Sequence, residues 1–303
     1  MGVYRIEELH YGVEDVEECT RFFSDFGLER SETERDGALF LTAVGQRLHL
    51  HPADDPTLPP ALEDGSTIRE VVWGVQSTAE LRELGNTLGV DRDVSEDADG
   101  TLHTHDQTGF GIGLRVAEDT GSELWHRGVN ATGSEGRWNE PLERLGRAHP
   151  YRFCHVALFI PTAGWEEAVA FYTERLRFRV TDQLLDMGTF MQAESDQDQH
   201  TLLLAHRQDK TAINHVAYEV SNFDEVVEGG NHMVASGWKE SRRFGRHTIG
   251  SNVFRFFLAP CGGRVELAAD MDRVDDSYGP NIYAQRPPHH MWMLTTNGQK
   301  EEL

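Results

Sequence analysis

The sequence predicts an α+β protein of two tandem modules, each of paired βαβββ units curling into a half-open barrel. Three observations carry that prediction. Strand-like runs containing His10 (Leu9 to Val16, LHYGVEDV) and beginning at His155 (HVALFI) place their histidines 145 positions apart. Each run leads into an amphipathic helical segment with paired aromatics, VEECTRFFSDFGLE and WEEAVAFYTERLRFRV. Later strand patterns, IREVVWGV from Ile68 and INHVAYEV from Ile213, keep the same 145-residue offset. A register held that long marks an internal duplication.

Taken in order, Phe22-Phe23 and Phe171-Tyr172 fall on the inward faces of the two first helices. STAELRELGNTLGV and NFDEVVEGGNHMVASG read as second helices, so strand, helix, strands occurs twice in each half. GFGIGLR and GGRVELA close the halves. The stretch from about Trp125 to Pro150, with Gly128, Gly133, Gly136 and Pro141 among charges, reads as the linker. Residues 1–140 are then an N-terminal module and 141–303 a C-terminal one. The tail after Asp276, with Pro280, Pro287 and Pro288, reads as an irregular wrap over the second half.

Composition narrows the function. Fifty-one acidic against 28 basic side chains give a net charge of −23, a field that repels nucleic acid and anionic lipid and leaves a small or apolar partner. No run approaches the ~18 apolar residues of a membrane span. The opening MGVYRIEELH lacks the basic and apolar regions of a secretory signal, and three widely spaced cysteines argue against a disulfide framework. The expected setting is cytoplasmic.

Chemistry concentrates in the second half. Alternate residues of a strand share a face, so His155 sits with Ala157 and Phe159, His215 with Ala217 and Glu219, and Glu266 alternates with Val265 and Leu267. Strands curling around a shared cup would let two imidazoles and one carboxylate converge. Such a set occupies one face of an octahedron and leaves three adjacent positions open, which suits Fe(II); zinc lacks the redox step.

With CHVALFI, HTLLLAH, INHVAYEV, GRHTIGSNVFRFF and GGRVELA in this order and spacing, the chain resembles the type I extradiol ring-cleavage dioxygenases of the vicinal oxygen chelate superfamily over nearly its whole length. The likeness is to the two-domain dihydroxybiphenyl and catechol enzymes. It implies the vicinal oxygen chelate (glyoxalase-like) fold and extradiol (meta) cleavage of a catechol-type ring, as in aromatic hydrocarbon catabolism. It further implies Fe(II) ahead of Mn(II), O2 as co-substrate and a homo-oligomer. Residue by residue, His155, His215 and Glu266 match the metal ligands, His200 matches the acid/base histidine, and His247 a second pocket histidine that contacts substrate. The chain departs from that pattern at Phe256, where the family commonly has tyrosine; Tyr218, Tyr278 or Tyr283 are candidates to replace its hydroxyl.

At the corresponding places the first half presents His10, Glu70 and Gly113, an incomplete triad. His10 is the alternative ligand should His155 be structural. The pairs His49/His51 and His103/His105 are expected at the surface, because no carboxylate in a strand context accompanies them. Two other functions share the fold: a metal-dependent isomerase, lyase or transferase of the glyoxalase kind, and a metal-free protein that sequesters a ligand.

Overall fold

Four βαβββ units follow one another along the chain. The computed structural model describes residues 2–31, 37–118, 128–194 and 196–295. Unit one is β1 (Arg5–Val13), α1 (Val16–Phe26), β2 (Glu29–Ser31), β3 (Ala38–Leu41) and β4 (Arg47–Pro52). Unit two is β5 (Thr67–Val75), α2 (Thr78–Leu88), β6 (Ser95–Glu96), β7 (Leu102–His105) and β8 (Gly111–Val116). A small hairpin, β9 (Asn130–Ala131) and β10 (Ser134–Glu135), precedes the second half. Unit three is β11 (Arg152–Ile160), α3 (Trp165–Ala170), β12 (Arg179–Leu184), β13 (Gly188–Gln192) and β14 (Leu202–His206). Unit four is β15 (Ala212–Glu219), α4 (Phe223–Ala235), β16 (Glu240–His247), β17 (Val253–Leu258) and β18 (Arg264–Ala269), and the tail adds β19 (Asn281–Tyr283) and β20 (His290–Met293).

The units pair into two sheets. The first runs β2-β3-β4-β1-β5-β8-β7-β6 and the second β19-β12-β13-β14-β11-β15-β18-β17-β16-β20. The tail is therefore more than a wrap: β19 extends one sheet edge beside β12, and β20 the other beside β16. Between these strands the chain crosses the mouth of the second sheet.

Helix starts follow capping chemistry. Asp15, Ser77 and Asn222 accept from the backbone N–H of Glu18, Glu80 and Glu225, satisfying donors that the first turn leaves free. Gly27 ends α1 at φ 109°, where a Cβ would collide with the Ala148 carbonyl, so the segment entering the second half is seated on the end of α1. The predicted second-half helix is shorter than its pattern. It widens into a π-helical turn over Phe171–Arg175, which buries both Phe171 and Tyr172 and lets the Tyr172 hydroxyl donate to Asp106 at 2.9 Å.

One continuous apolar core runs through both halves. Phe22, Phe23 and Phe26 are fully buried, each worth about 1.5–3 kcal/mol of transfer free energy. Phe26 meets Tyr218 edge to face at 4.8 Å, and Trp73 meets Phe178 at 5.0 Å. The buried Gln46 side chain also ties the halves: it donates to the Ile6 carbonyl and accepts from the Phe153 N–H, both at 2.6 Å. Cys19, Cys154 and Cys261 are buried and free. Among the described residues no helix is long and apolar enough to cross a membrane.

Strand pairing corrects the alignment of the two halves. A bulge lies before Glu8 on β1 and another before His155 on β11; Glu8 then pairs with Val72 as His155 pairs with Ala217. The counterpart of His155 is thus Glu8, not His10, because the first strands are offset by 147 residues (155 minus 8) and β5 and β15 by 145 (215 minus 70). The first half holds Glu8, Glu70 and Gly113 in the three positions.

Candidate active site

Adjacent strands β11, β15 and β18 carry His155, His215 and Glu266, all buried. The two imidazole Nε2 atoms are 3.1 Å apart, and Glu266 Oε2 lies 3.2 Å from His155 Nε2 and 3.3 Å from His215 Nε2. The rings stand at 83° to one another, so their lone pairs converge. Burial lowers the pKa of both imidazoles to about 3, for His155 with help from Arg152 and for His215 against the pull of Glu266. They are neutral at pH 7, as metal ligation requires.

Neighbouring residues fix the ligand atoms. His215 Nδ1 donates to Asn214 Oδ1 at 3.0 Å, leaving Nε2 as a lone pair; Arg264 holds the same amide oxygen. Asn252 Nδ2 donates to Glu266 Oε1 at 2.9 Å, while Glu266 Oε2 has no hydrogen-bond partner although fully buried. A buried carboxylate oxygen facing two neutral nitrogens is costly without a cation. Bonds of about 2.0–2.2 Å to one ion would separate adjacent ligand atoms by about 3 to 3.5 Å, the range found here. The donor set fits a metal.

Above the triad a cavity of about 260 Å³ opens. Phe159, Leu184, Phe190, Ile249 and Phe256 supply apolar walls, and the segment Arg286 to His289 crosses its mouth. His200 is buried in the wall, its ring 4.4 Å from that of His155. Its Nδ1 donates to Gln199 Oε1 at 2.7 Å, and Gln199 passes its own N–H to Asp182, which fixes which amide atom faces the imidazole. Gly250, at φ 80°, lets the backbone come against this pair. Burial drives the His200 pKa well below its ordinary value, so with Nδ1 holding its proton against Gln199 the Nε2 carries a free lone pair. His247 also lines the cavity, stacked on Phe254 at 4.1 Å with Nε2 3.7 Å from Glu266 Oε1; burial keeps it neutral too.

The five residues singled out from the sequence are therefore brought together. His10 is not among them: it belongs to a separate cluster with His49 and His51. Nor do those pairs lack carboxylates. His103 is paired with Glu70 at 2.9 Å and Asp97 at 3.2 Å, chiefly through the Glu70 hydrogen bond, which raises its pKa to about 9. No tyrosine replaces the hydroxyl missing at Phe256. Tyr218 is in the core, the Tyr278 hydroxyl donates to Asp182 at 3.0 Å, and Tyr283 packs beside Leu184; none of the three lines the cavity. Instead the guanidinium groups of Arg242 and Arg264 stand 5.5 and 5.2 Å from the Phe256 ring. Gln199, Asn214, Asn252 and these arginines went unread in the sequence. The signal for the first two was simple adjacency to His200 and His215.

Residues 152–267 match the model of the glyoxalase/bleomycin resistance protein/dioxygenase superfamily. Metapyrocatechase 2 of Cupriavidus necator is 34% identical over 131 residues, a stretch covering 43% of this chain and 40% of that relative. Among solved structures, the Mn(II)-bound glyoxalase from Novosphingobium aromaticivorans superposes with a TM-score of 0.75 at 21% identity, covering 98% of this chain and 93% of the other. The 2,2',3-trihydroxybiphenyl 1,2-dioxygenase from Sphingomonas wittichii strain RW1 gives 0.73 at 17% identity, covering 96% and 98%. These likenesses show a shared fold across both halves, as the repeat predicted.

Proposed function

We propose that this chain is an extradiol dioxygenase opening a single catechol-type ring that bears an anionic substituent. Residues 141–303 act as the catalytic module and residues 1–140 as a module without a complete triad. The observation that carries the reading is the convergence of His155, His215 and Glu266 beneath a cavity whose wall holds neutral, buried His200.

Two imidazoles and one carboxylate with open positions suit Fe(II) ahead of Mn(II), and Fe(II) held there supplies the redox chemistry by which catechol and O2 react. The chain's own residues do the rest. Glu266 gives the site its anionic ligand. His200 Nε2 takes a proton from a ring hydroxyl and returns it to product oxygen, its Nδ1–H held by Gln199 throughout. His247, neutral and facing the cavity, orients a ring oxygen. The apolar walls receive the ring and exclude water, and the volume is sized for one ring with a short substituent.

The anionic substituent follows from charge. Arg207, Arg242, Arg264 and Arg286 all line the cavity, and none forms an ion pair with a described residue. In a chain with 51 acidic side chains that is unexpected, since Arg47, Arg115, Arg152, Arg246, Arg255 and Arg273 are all paired. Burial, then the neighbouring Arg242, lowers the Arg264 pKa to about 10. A carboxylate on the substrate would offset that repulsion through charge-assisted hydrogen bonds.

The test is oxygen uptake by protein loaded anaerobically with Fe(II), using neutral and carboxylated catechols. One O2 consumed per ring opened, with a new visible absorbance and faster turnover of the carboxylated ring, is expected. Turnover of a hemithioacetal without oxygen uptake, and no reaction with any catechol, would favour the glyoxalase kind of chemistry instead. A homo-oligomer is part of this proposal, and a mass measurement in solution that returns one chain would remove it.

A further inference from the structure

Two other histidine clusters bring nitrogen atoms close enough to share an ion. His247, His289 and His290 sit at the cavity already described. The second cluster, His10, His49 and His51, lies in the first sheet. His10 on β1 is the register partner of His49 on parallel β4, and His51 follows two residues later on the same face. One nitrogen from each lies within 4.8 Å of the others. Their side chains are 18%, 13% and 21% exposed, so solvent reaches the cluster.

Two carboxylates support the rings. Glu8 Oε2 lies 3.2 Å from His10 Nε2 and 3.4 Å from His49 Nε2, and Asp55 Oδ2 lies 3.2 Å from His51 Nδ1. Glu8 is itself anchored, its other oxygen held by Arg47 and Arg115. A carboxylate beside one ring nitrogen keeps the proton there and leaves the opposite nitrogen as a lone pair. For His10 and His51 those opposite nitrogens, Nδ1 and Nε2, face each other at 3.3 Å. Two nitrogens so placed are bridged by a proton or by a metal ion, and the third imidazole, His49, within reach of both, favours the ion. The spacing again falls in the range of about 3 to 3.5 Å expected of adjacent ligands with bonds of 2.0–2.2 Å to one ion.

We propose that His10, His49 and His51 bind one divalent ion of the zinc class, with Glu8 and Asp55 orienting the imidazoles and solvent completing the coordination. Imidazole donors suit such ions. The His10 and His49 rings stack within 5°, so the ion enters as His49 turns about its Cβ–Cγ bond, a broad torsion. The ion would join β1 to β4 across their parallel ladder.

The experiment counts Zn(II) bound per full-length chain by calorimetric titration after chelator treatment. The His49→Gln/His51→Gln variant should bind one equivalent fewer than wild type while keeping the equivalent that Glu266→Ala removes. Asp55→Asn, which leaves all three imidazoles in place, should weaken the same equivalent about 10- to 100-fold and serves if the double variant misfolds. Equal zinc stoichiometry and affinity in wild type and the variants would overturn the proposal, whatever reaction the other site performs.

Discussion

Replacing Arg242 by Met separates a cation that recognises substrate from one that merely fills space. Arg242 stands opposite Phe256 in the β16–β17 register and lines the cavity, and burial lowers its pKa. Methionine keeps the apolar contact with Phe256 and removes the charge. A hydrogen bond to a charged group contributes about 1.5–3 kcal/mol, equivalent to about 10- to 150-fold in transition-state binding. The kcat/KM for a carboxylated catechol should fall by that factor, while the value for unsubstituted catechol changes little. Because Arg242 is a half-buried cation without an ion pair among the described residues, the thermal midpoint should not fall. Initial-rate oxygen uptake with the two substrates, on Fe(II)-loaded wild type and R242M, gives the ratio. An unchanged ratio, or equal losses for both rings, would refute the assignment of the arginines to a substrate anion.

Glu266→Ala removes the anionic member of the triad and should abolish stoichiometric iron binding, read by metal analysis after desalting. His200→Phe should keep iron and bind catechol yet slow turnover by about 10²-fold or more, the loss expected of an acid/base, measured under saturating substrate. His103 gives a pH prediction: its folded pKa of about 9 lies above the ordinary 6.5, so its ion pair with Glu70 stabilises fully below pH 6.5 and is lost as pH rises through 9. With the side chain 32% exposed, solvent screening reduces that contribution to about 1 kcal/mol, and His103→Gln should remove this part of the pH 6-to-10 difference in urea unfolding.

The periodic parts of the chain were legible because burial writes them into the sequence. Inward aromatics marked α1, and alternation marked β11, β15 and β18. The two halves differ in length between their first and second units, 62 positions from Glu8 to Glu70 (70 minus 8) against 60 from His155 to His215 (215 minus 155), while the bulges fall at the same place in both. A single offset of 145 therefore lands on His10, two residues past the counterpart of His155. The wide turn at Phe171 was hidden because the partner it serves, Asp106 bonded by Tyr172, lies 66 positions away. The arginines of the cavity went unseen because they come from the residue after β14, from β16, from β18 and from the tail, and only folding leaves them facing one volume without an ion pair to a described residue. The strands of the tail were masked by Pro280, Pro287 and Pro288, which fall beside β19 and β20 rather than inside them.

The central claim is tested most directly by locating iron in Fe(II)-loaded crystals with anomalous diffraction at the iron edge. A single strong peak within bonding distance of His155 Nε2, His215 Nε2 and a Glu266 oxygen, absent from Glu266→Ala, is predicted. Iron bound elsewhere, or occupancy unchanged by that substitution, would contradict the account.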